Sequence, residues 1–195
     1  MGLTVTRGSG DLVTTAEAKA HLRVTHSTDD SYIAALILAA EGVCESKTGR
    51  TLGPSTVTYT LDYFDDPIRL PRSPVVGVAS VKYVNDAGTL TTISSGNYRV
   101  TYNSTPGRIE PAYDYSWPTP RTVSECVEII YTAGFDIDFV PADIKQAMLL
   151  LVGHWYENRE QVVIGMSVAE LPAAVDMLLA RYRLGGHVAF SGLKA

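Results

Sequence analysis

The sequence predicts an α+β fold: a helical bundle of about four helices with an antiparallel β insertion between the N-terminal and C-terminal helices. Three observations predict it. Apolar residues recur at three- and four-residue steps before residue 50 and after residue 140, the period of a helix with one buried face. Between residues 55 and 134 the period changes to two, as in strands with one wet face. Gly53-Pro54 and Ala133-Gly134, pairs that break regular structure, stand at the two changeovers. The organisation that follows is an N-terminal arm over 1–13, N-terminal helices over 14–52, a β-rich insertion over 53–134, C-terminal helices over 135–184 and a C-terminal arm over 185–195.

Thr14 with Glu17 three positions later is a capping box. The hydroxyl takes one free backbone N–H of the helix start and the carboxylate reaches back to another. A short helix runs from there to about Leu22. Ser27, Thr28, Asp29 and Asp30 offer a second start, with negative charge on the positive helix end. Tyr32, Ile33, Leu36, Ile37, Ala40, Val43, Cys44 and Lys47 then form one stripe along about five turns, and Gly49 suits the C′ position. In the insertion, Val57, Tyr59, Leu61 and Tyr63 alternate with polar residues. Asp65-Asp66-Pro67 is a turn, 68–70 a short strand ended by Pro71, and 76–84 a longer one. Asn85-Asp86-Ala87-Gly88 returns the chain as a hairpin over 89–93. A strand over 98–102 is followed by Pro106-Gly107. Pro111, Pro118 and Pro120 around Trp117 mark an ordered surface loop, and 126–132 is the most apolar strand. Strand order is not legible. Pro141 fits N1 of a third helix, whose stripe is Ile144, Ala147, Met148, Leu151, Val152 and Trp155. After a loop over 159–167, Leu171-Pro172 opens a last helix with Val175, Leu178, Leu179 and Tyr182 on one face, stopped by Gly185-Gly186.

Composition excludes several classes. The 195 residues are 46% hydrophobic and only 19% charged, below the roughly 25% charge usual in soluble domains. Mean hydropathy is +0.06. The apolar run Ile33 to Ala40 falls far short of the ~20 residues that cross a bilayer, and MGLTVTRGSG has no apolar signal core, so neither a membrane nor a secretory route is expected. A net charge of −5 argues against a protein that grips nucleic-acid phosphates. Cys44 and Cys126 have neither metal nor redox spacing, so a reducing compartment is expected.

A search for catalytic and metal chemistry finds little. His154 and Glu157 lie one helical turn apart, without the second histidine of a zinc-protease helix. Their plain reading is a helix-end His and an exposed Glu with Arg159 in pairing reach. His21 and His26 straddle a helix end. Asp62, Asp65 and Asp66 surround a turn but lack the calcium-loop pattern. Gly8-Ser9-Gly10 does not join a strand to a helix, as a nucleophile elbow must. Gly49 to Gly53 lacks the Lys-Ser/Thr of a phosphate loop. Both cysteines fall on apolar stripes, as small core residues do. No cofactor, metal or catalytic residue is expected, and an enzyme, for example a small hydrolase, would need a site assembled from dispersed residues.

Tyrosine supplies 11 of the aromatic residues, against Phe 4 and Trp 2. It covers apolar area while keeping a polar tip, which suits protein contacts, and strands favour it too, as at Tyr59, Tyr63, Tyr83, Tyr98 and Tyr102. The terminal segment GGHVAFSGLKA is too short and glycine-rich for a core of its own, yet carries Val188, Phe190 and Leu193. From Arg181 onward the chain has Arg181, Arg183 and Lys194 and no acid. Such a tail is either a docking arm that orders on a partner or a terminus that frays or packs on its own domain.

Three segments taken together, 14–50 (TTAEAKAHLRV…DDSYIAALILAAEGVCESKTGR), 140–160 (VPADIKQAMLLLVGHWYENRE) and 171–183 (LPAAVDMLLARYR), resemble the head–tail connector, or adaptor, family of tailed bacteriophages and gene transfer agents. The similarity is to the long variety with a β-rich insertion, covers nearly the whole chain, and rests on the order and spacing of structural motifs. It implies a non-enzymatic structural virion protein, assembled in the host bacterial cytoplasm and placed at the head–tail interface. It further implies a homo-oligomeric ring, commonly of 12 copies, between the portal protein and a tail or stopper protein. Double-stranded DNA would pass through the lumen without specific binding. The C-terminal segment would engage the portal, which assigns that contact to Tyr182, Arg183, Leu184, His187, Val188, Phe190 and Leu193. The other class to weigh is a monomeric assembly chaperone or binding module, which would not stay in the finished particle.

Overall fold

The computed structural model describes residues 1–159 and 173–184. The chain divides into two compact units. One holds Gly10–Leu52 and Asp136–Arg183; the other holds Met1–Ser9 and Gly53–Phe135. The fold is α+β and, as expected, a β insertion lies between the N-terminal and C-terminal helices; one further strand, over Gly2–Arg7, precedes the first helix.

The first unit is helical: α1 (Thr15–Leu22), α2 (Asp30–Thr48), α3 (Ala142–Glu157) and α4 (Ala173–Ala180). The capping box forms as the sequence specifies. Glu17 N donates to Thr14 Oγ1 at 3.2 Å and Thr14 N donates to Glu17 Oε2 at 2.7 Å, an arrangement worth about 1 kcal/mol. These bonds hold the Glu17 carboxyl below the usual range. Helix α2 ends at Gly49, in the left-handed conformation (φ 69°), where glycine carries no Cβ penalty. Its buried positions are Ile33, Ile37, Ala40, Glu41, Cys44 and Thr48, so the buried stripe runs slightly to one side of the expected one and takes in a carboxylate. Ile144, Ala147, Met148, Leu151 and Val152 of α3 are fully buried, and so are Val175 and Leu179 of α4. Leu12 and Val13, placed in an arm by the sequence, are buried in this unit. Pro141 stands at the N-cap of α3, one position before the expected N1. The expected start of the last helix at Leu171-Pro172 lies outside the described residues.

The second unit carries two antiparallel sheets. The larger comprises β1 (Gly2–Arg7), β2 (Ser55–Leu61), β8 (Val127–Ala133), β4 (Val75–Val84) and β5 (Leu90–Ile93), in that order. The smaller has β3 (Ile68–Arg69), β7 (Arg108–Pro111) and β6 (Tyr98–Thr101). β8, the most apolar strand in the sequence, is central and pairs on both sides. Its register shifts against β4 between Val75 and Gly77 and between Val78 and Ser80. The alternation read in β2 holds at Val57, Tyr59 and Leu61, which are buried; Val127, Ile129 and Tyr131 of β8, read only as the most apolar strand, are buried too. Both sheets contribute to one core, Ile68, Tyr98 and Ile109 from the smaller joining Val81 and Ile129 from the larger. Tyr63 lies past the end of β2 and is 57% exposed. Two strands were not foreseen, β1 in the N-terminal arm and β7 between two turns.

Close backbone crossings fix glycine at the ends of this unit. Gly8 N donates to the Pro54 carbonyl at 2.7 Å and Gly134 N to the Pro74 carbonyl at 2.9 Å. Gly134 has φ +112°, and a Cβ there would overlap the Gly53 carbonyl. Only glycine meets both demands.

Candidate functional site

The residues raised for chemistry are held in structural roles. Cys44 is buried in α2, and desolvation pushes its thiol up to about 12, so it is not a thiolate at neutral pH. Cys126 is buried in the other unit, where its Sγ lies 3.0 Å from the Asp62 carbonyl. The Asp62 carboxylate accepts from Glu125 N at 2.7 Å and lies 3.5 Å from the chain's amino terminus. These contacts hold its carboxyl below the usual range, the Glu125 N–H bond first. Asp62 thus ties the N-terminal residue to the loop entering β8. His154 gives its carbonyl to Asn158, from N at 3.2 Å and Nδ2 at 2.8 Å, and so closes the end of α3. Glu157 is exposed, and Arg159 pairs with Asp29 at 2.7 Å instead of with Glu157. Among the described residues no three His, Cys, Asp or Glu side chains gather as a metal site. His154, Glu157 and Cys44 belong to the helical unit, Asp62 and Cys126 to the sheet unit.

The segment leading to the C-terminal arm is anchored by its own neighbours. Tyr182 Oη donates to Asp143 Oδ2 at 3.1 Å, and Arg181 reaches the same oxygen at 3.3 Å while lying over the Tyr182 ring. Tyr182's carbonyl accepts from Arg50 Nε at 2.5 Å. Arg183 meets Asp176 Oδ1 at 3.0 Å, and Lys47 approaches that oxygen at 2.8 Å. Asp176 is consequently held below the usual carboxylate range, by Lys47 first and Arg183 second. Tyr182 and Arg183, singled out as partner-binding residues, are therefore engaged within the helical unit. Leu184 is partly exposed. His187, Val188, Phe190 and Leu193 lie outside the described residues.

A second anchor closes the far end of α3. Asp29 Oδ2 accepts from Tyr156 Oη at 2.6 Å and Arg159 at 2.7 Å, and the Arg159 guanidinium lies 4.8 Å and 4.7 Å from the Tyr32 and Tyr156 ring centroids. Asp29, read as a helix cap, makes no side-chain cap bond; its carboxylate serves this clasp. Tyr156 and Arg159 sit just past or late in the apolar stripe, where a periodicity reading assigns no role.

The sheet unit exposes apolar area. Tyr113 is 96% exposed and Val76 65%, with Leu3, Val5, Leu90 and Tyr102 also exposed. Beneath the loop that carries Tyr113, Phe64 stacks on Trp117 with centroids 4.9 Å apart and planes 5° apart, and Tyr115 meets Trp117 edge-on. The loop is thus ordered by its aromatics, as the prolines around Trp117 indicated.

A family model described as "Head completion protein" matches residues 11–183. No curated protein matches the sequence. Among solved structures, a chain from the "Neck of empty GTA particle computed with C6 symmetry" is 26% identical, with a TM-score of 0.75, over 92% of this chain and 95% of that one. A chain of the "Virion of native gene transfer agent (GTA) particle" matches with the same figures. One from the "Neck of native GTA particle computed with C12 symmetry" matches with a TM-score of 0.72 over 92% of this chain and 94% of that one. The chain belongs to the head completion protein family, and the head–tail connector resemblance read from the sequence holds.

Proposed function

We propose that the protein is a structural connector of the virion that forms a ring between the portal and the next tail component. The carrying observation is likeness over nearly the full length to neck subunits of gene transfer agent particles with C6 and C12 symmetry, joined to membership of the head completion family. The ring has 12 copies in this reading, and its lumen passes double-stranded DNA without gripping it. The net charge of −5 suits such a lumen, since a basic one would hold phosphates and retard the duplex. The work requires no catalysis. Each subunit contact can be weak because symmetry repeats it and raises the effective affinity.

Residues 185–195 are the portal-docking arm. The Tyr182–Asp143 and Arg183–Asp176 contacts support a division of labour in which Tyr182 and Arg183 aim the arm from the helical unit, and Val188, Phe190 and Leu193 supply the apolar anchors. Particles would assemble in the host cytoplasm, with the protein retained at the head–tail interface. Deleting 185–195 is expected to leave a folded chain, by circular dichroism, that no longer co-sediments with the portal ring. Co-sedimentation and normal tail attachment by the truncated protein would refute the arm. Absence of the protein from purified particles would refute the connector role and favour an assembly chaperone.

A further inference from the structure

The larger sheet ends on both sides in strands with little of the usual protection against pairing: β1 carries one charge, at its last residue, and β5 has only its shortness of four residues. Strand β1 is one edge. Its register sets Leu3 opposite Tyr59 and Val5 opposite Val57. Directly opposed residues share a face, so Leu3 and Val5 carry the core face of the sheet beyond its covered part; they are 41% and 36% exposed. Edge strands are normally blunted by Lys, Pro, bulges or brevity. β1 has six residues, an unshifted register against residues 55–60 of β2, and a charge only at Arg7, its last residue. The opposite edge, β5, holds Leu90–Ile93 with no charged residue, and Leu90 is 51% exposed. Among the described residues no further strand extends the sheet on either side.

A closed ring requires each copy to offer two different, complementary surfaces. Two edges whose one charge is at Arg7, at opposite ends of one sheet, meet that requirement. A symmetric β1–β1 pairing would give dimers and stop. We propose that neighbouring copies join edge to edge, β1 of one chain pairing with β5 of the next, so that the sheet continues across the subunit boundary. The occupant of each edge is thus a second copy of this chain. The inference rests on the ring reading above. Backbone pairing supplies the contact, with Leu3 and Val5 adding apolar area on the core face of the sheet and Leu90 adding it on the other face, which it shares with Thr92 and Lys82.

The test uses the full-length chain assembled with portal rings and read by native mass spectrometry. Val5→Lys and Leu90→Lys should each abolish the ring species while leaving the far-UV circular dichroism unchanged. Leu3→Lys replaces Val5→Lys if the latter alters the spectrum. A ring formed normally by both single variants overturns the proposal and leaves the ring reading intact. Loss with Val5→Lys alone, unmatched by Leu90→Lys, also overturns it, since β1 would then meet the chain's own residues 185–195 or the portal. Absence of rings from the wild-type chain overturns the ring reading itself.

Discussion

The helical unit and the sheet unit solve the problem of surface differently. The helical unit closes its rim with charge: Lys19 meets Asp30, Lys47 and Arg183 share Asp176, Arg181 meets Asp143, and Arg159 meets Asp29. Of its described side chains, Leu38, Phe139 and Met177 are the large apolar ones left exposed. The sheet unit leaves out Met1, Leu3, Val5, Tyr63, Val76, Leu90, Tyr102, Tyr113 and Val123. Exposed ion pairs contribute little stability each, about 0–1 kcal/mol, but they keep a surface soluble and specific. Exposed apolar area does the opposite and invites a neighbour. The difference teaches that this subunit is finished at its helices and unfinished at its strands. An assembly component needs that asymmetry.

The hardest blow to the comparison falls on the sheet unit's backbone. Gly134→Ala forces a side chain into φ +112° and onto the Gly53 carbonyl. Backbone, unlike a flexible side chain, cannot swing away. The expected loss is ~3–5 kcal/mol, read by urea unfolding. If the two units unfold separately, the transition reported by Trp117 in the sheet unit should move and the helical far-UV signal should lag behind it. Equal shifts of both signals would show that the units fold as one and would weaken the division drawn here.

Leu151→Ala probes the other side. Leu151 is fully buried in α3, and truncation there removes transfer free energy and leaves a cavity. The expected cost is about 3 kcal/mol, again by urea unfolding, with the order of the two signals reversed. Ring assembly by the surviving folded fraction should persist, because Leu151 touches no exposed surface.

The helices were legible because their information is local. Thr14 and Glu17 are three residues apart, and the α2 and α3 stripes repeat within a turn, so a single pass reads them. The sheet was legible only in part. Alternation marked β2 and apolar content marked β8, but pairing joins residues far apart in the chain, such as Gly2 with Thr60, 58 positions away, and Val57 with Tyr131, 74 away, and no local period encodes such a partner. β1 escaped notice because the six residues GLTVTR have no turn before them to mark a strand start. β7 escaped because Gly107 and Pro111 bracket it closely. The anchors were hidden for the same reason. Asp29 meets Tyr156 and Arg159 from across the sequence, while its neighbours Ser27, Thr28 and Asp30 advertise a cap.

Acid supplies the gentlest test of the asymmetry. Asp29 is held below the usual carboxylate range, chiefly by the Tyr156 hydroxyl and then by Arg159. Asp62, in the sheet unit, is held down by the Glu125 N–H bond. A depressed carboxyl contributes stability that is present above its unfolded pKa, about 4, and is lost as pH falls through the lower folded value. Asp29→Asn removes the ionised acceptor but keeps the shape. The variant should therefore melt below the wild type at pH 7, and the gap should close as the pH is lowered toward 3. Asp62→Asn should behave the same way in the sheet signal. Both carboxylates lie at the surface, so the shifts should be the smallest of the series. High salt should shrink the Asp29 gap more, because one of its two partners is the Arg159 cation, whereas the principal partner of Asp62 is a neutral backbone N–H. A gap at Asp29 that ignores both pH and salt would mean that the Tyr156 and Arg159 rings and stems hold the clasp by packing alone. The helical rim would then owe less to charge than the pairs around it indicate.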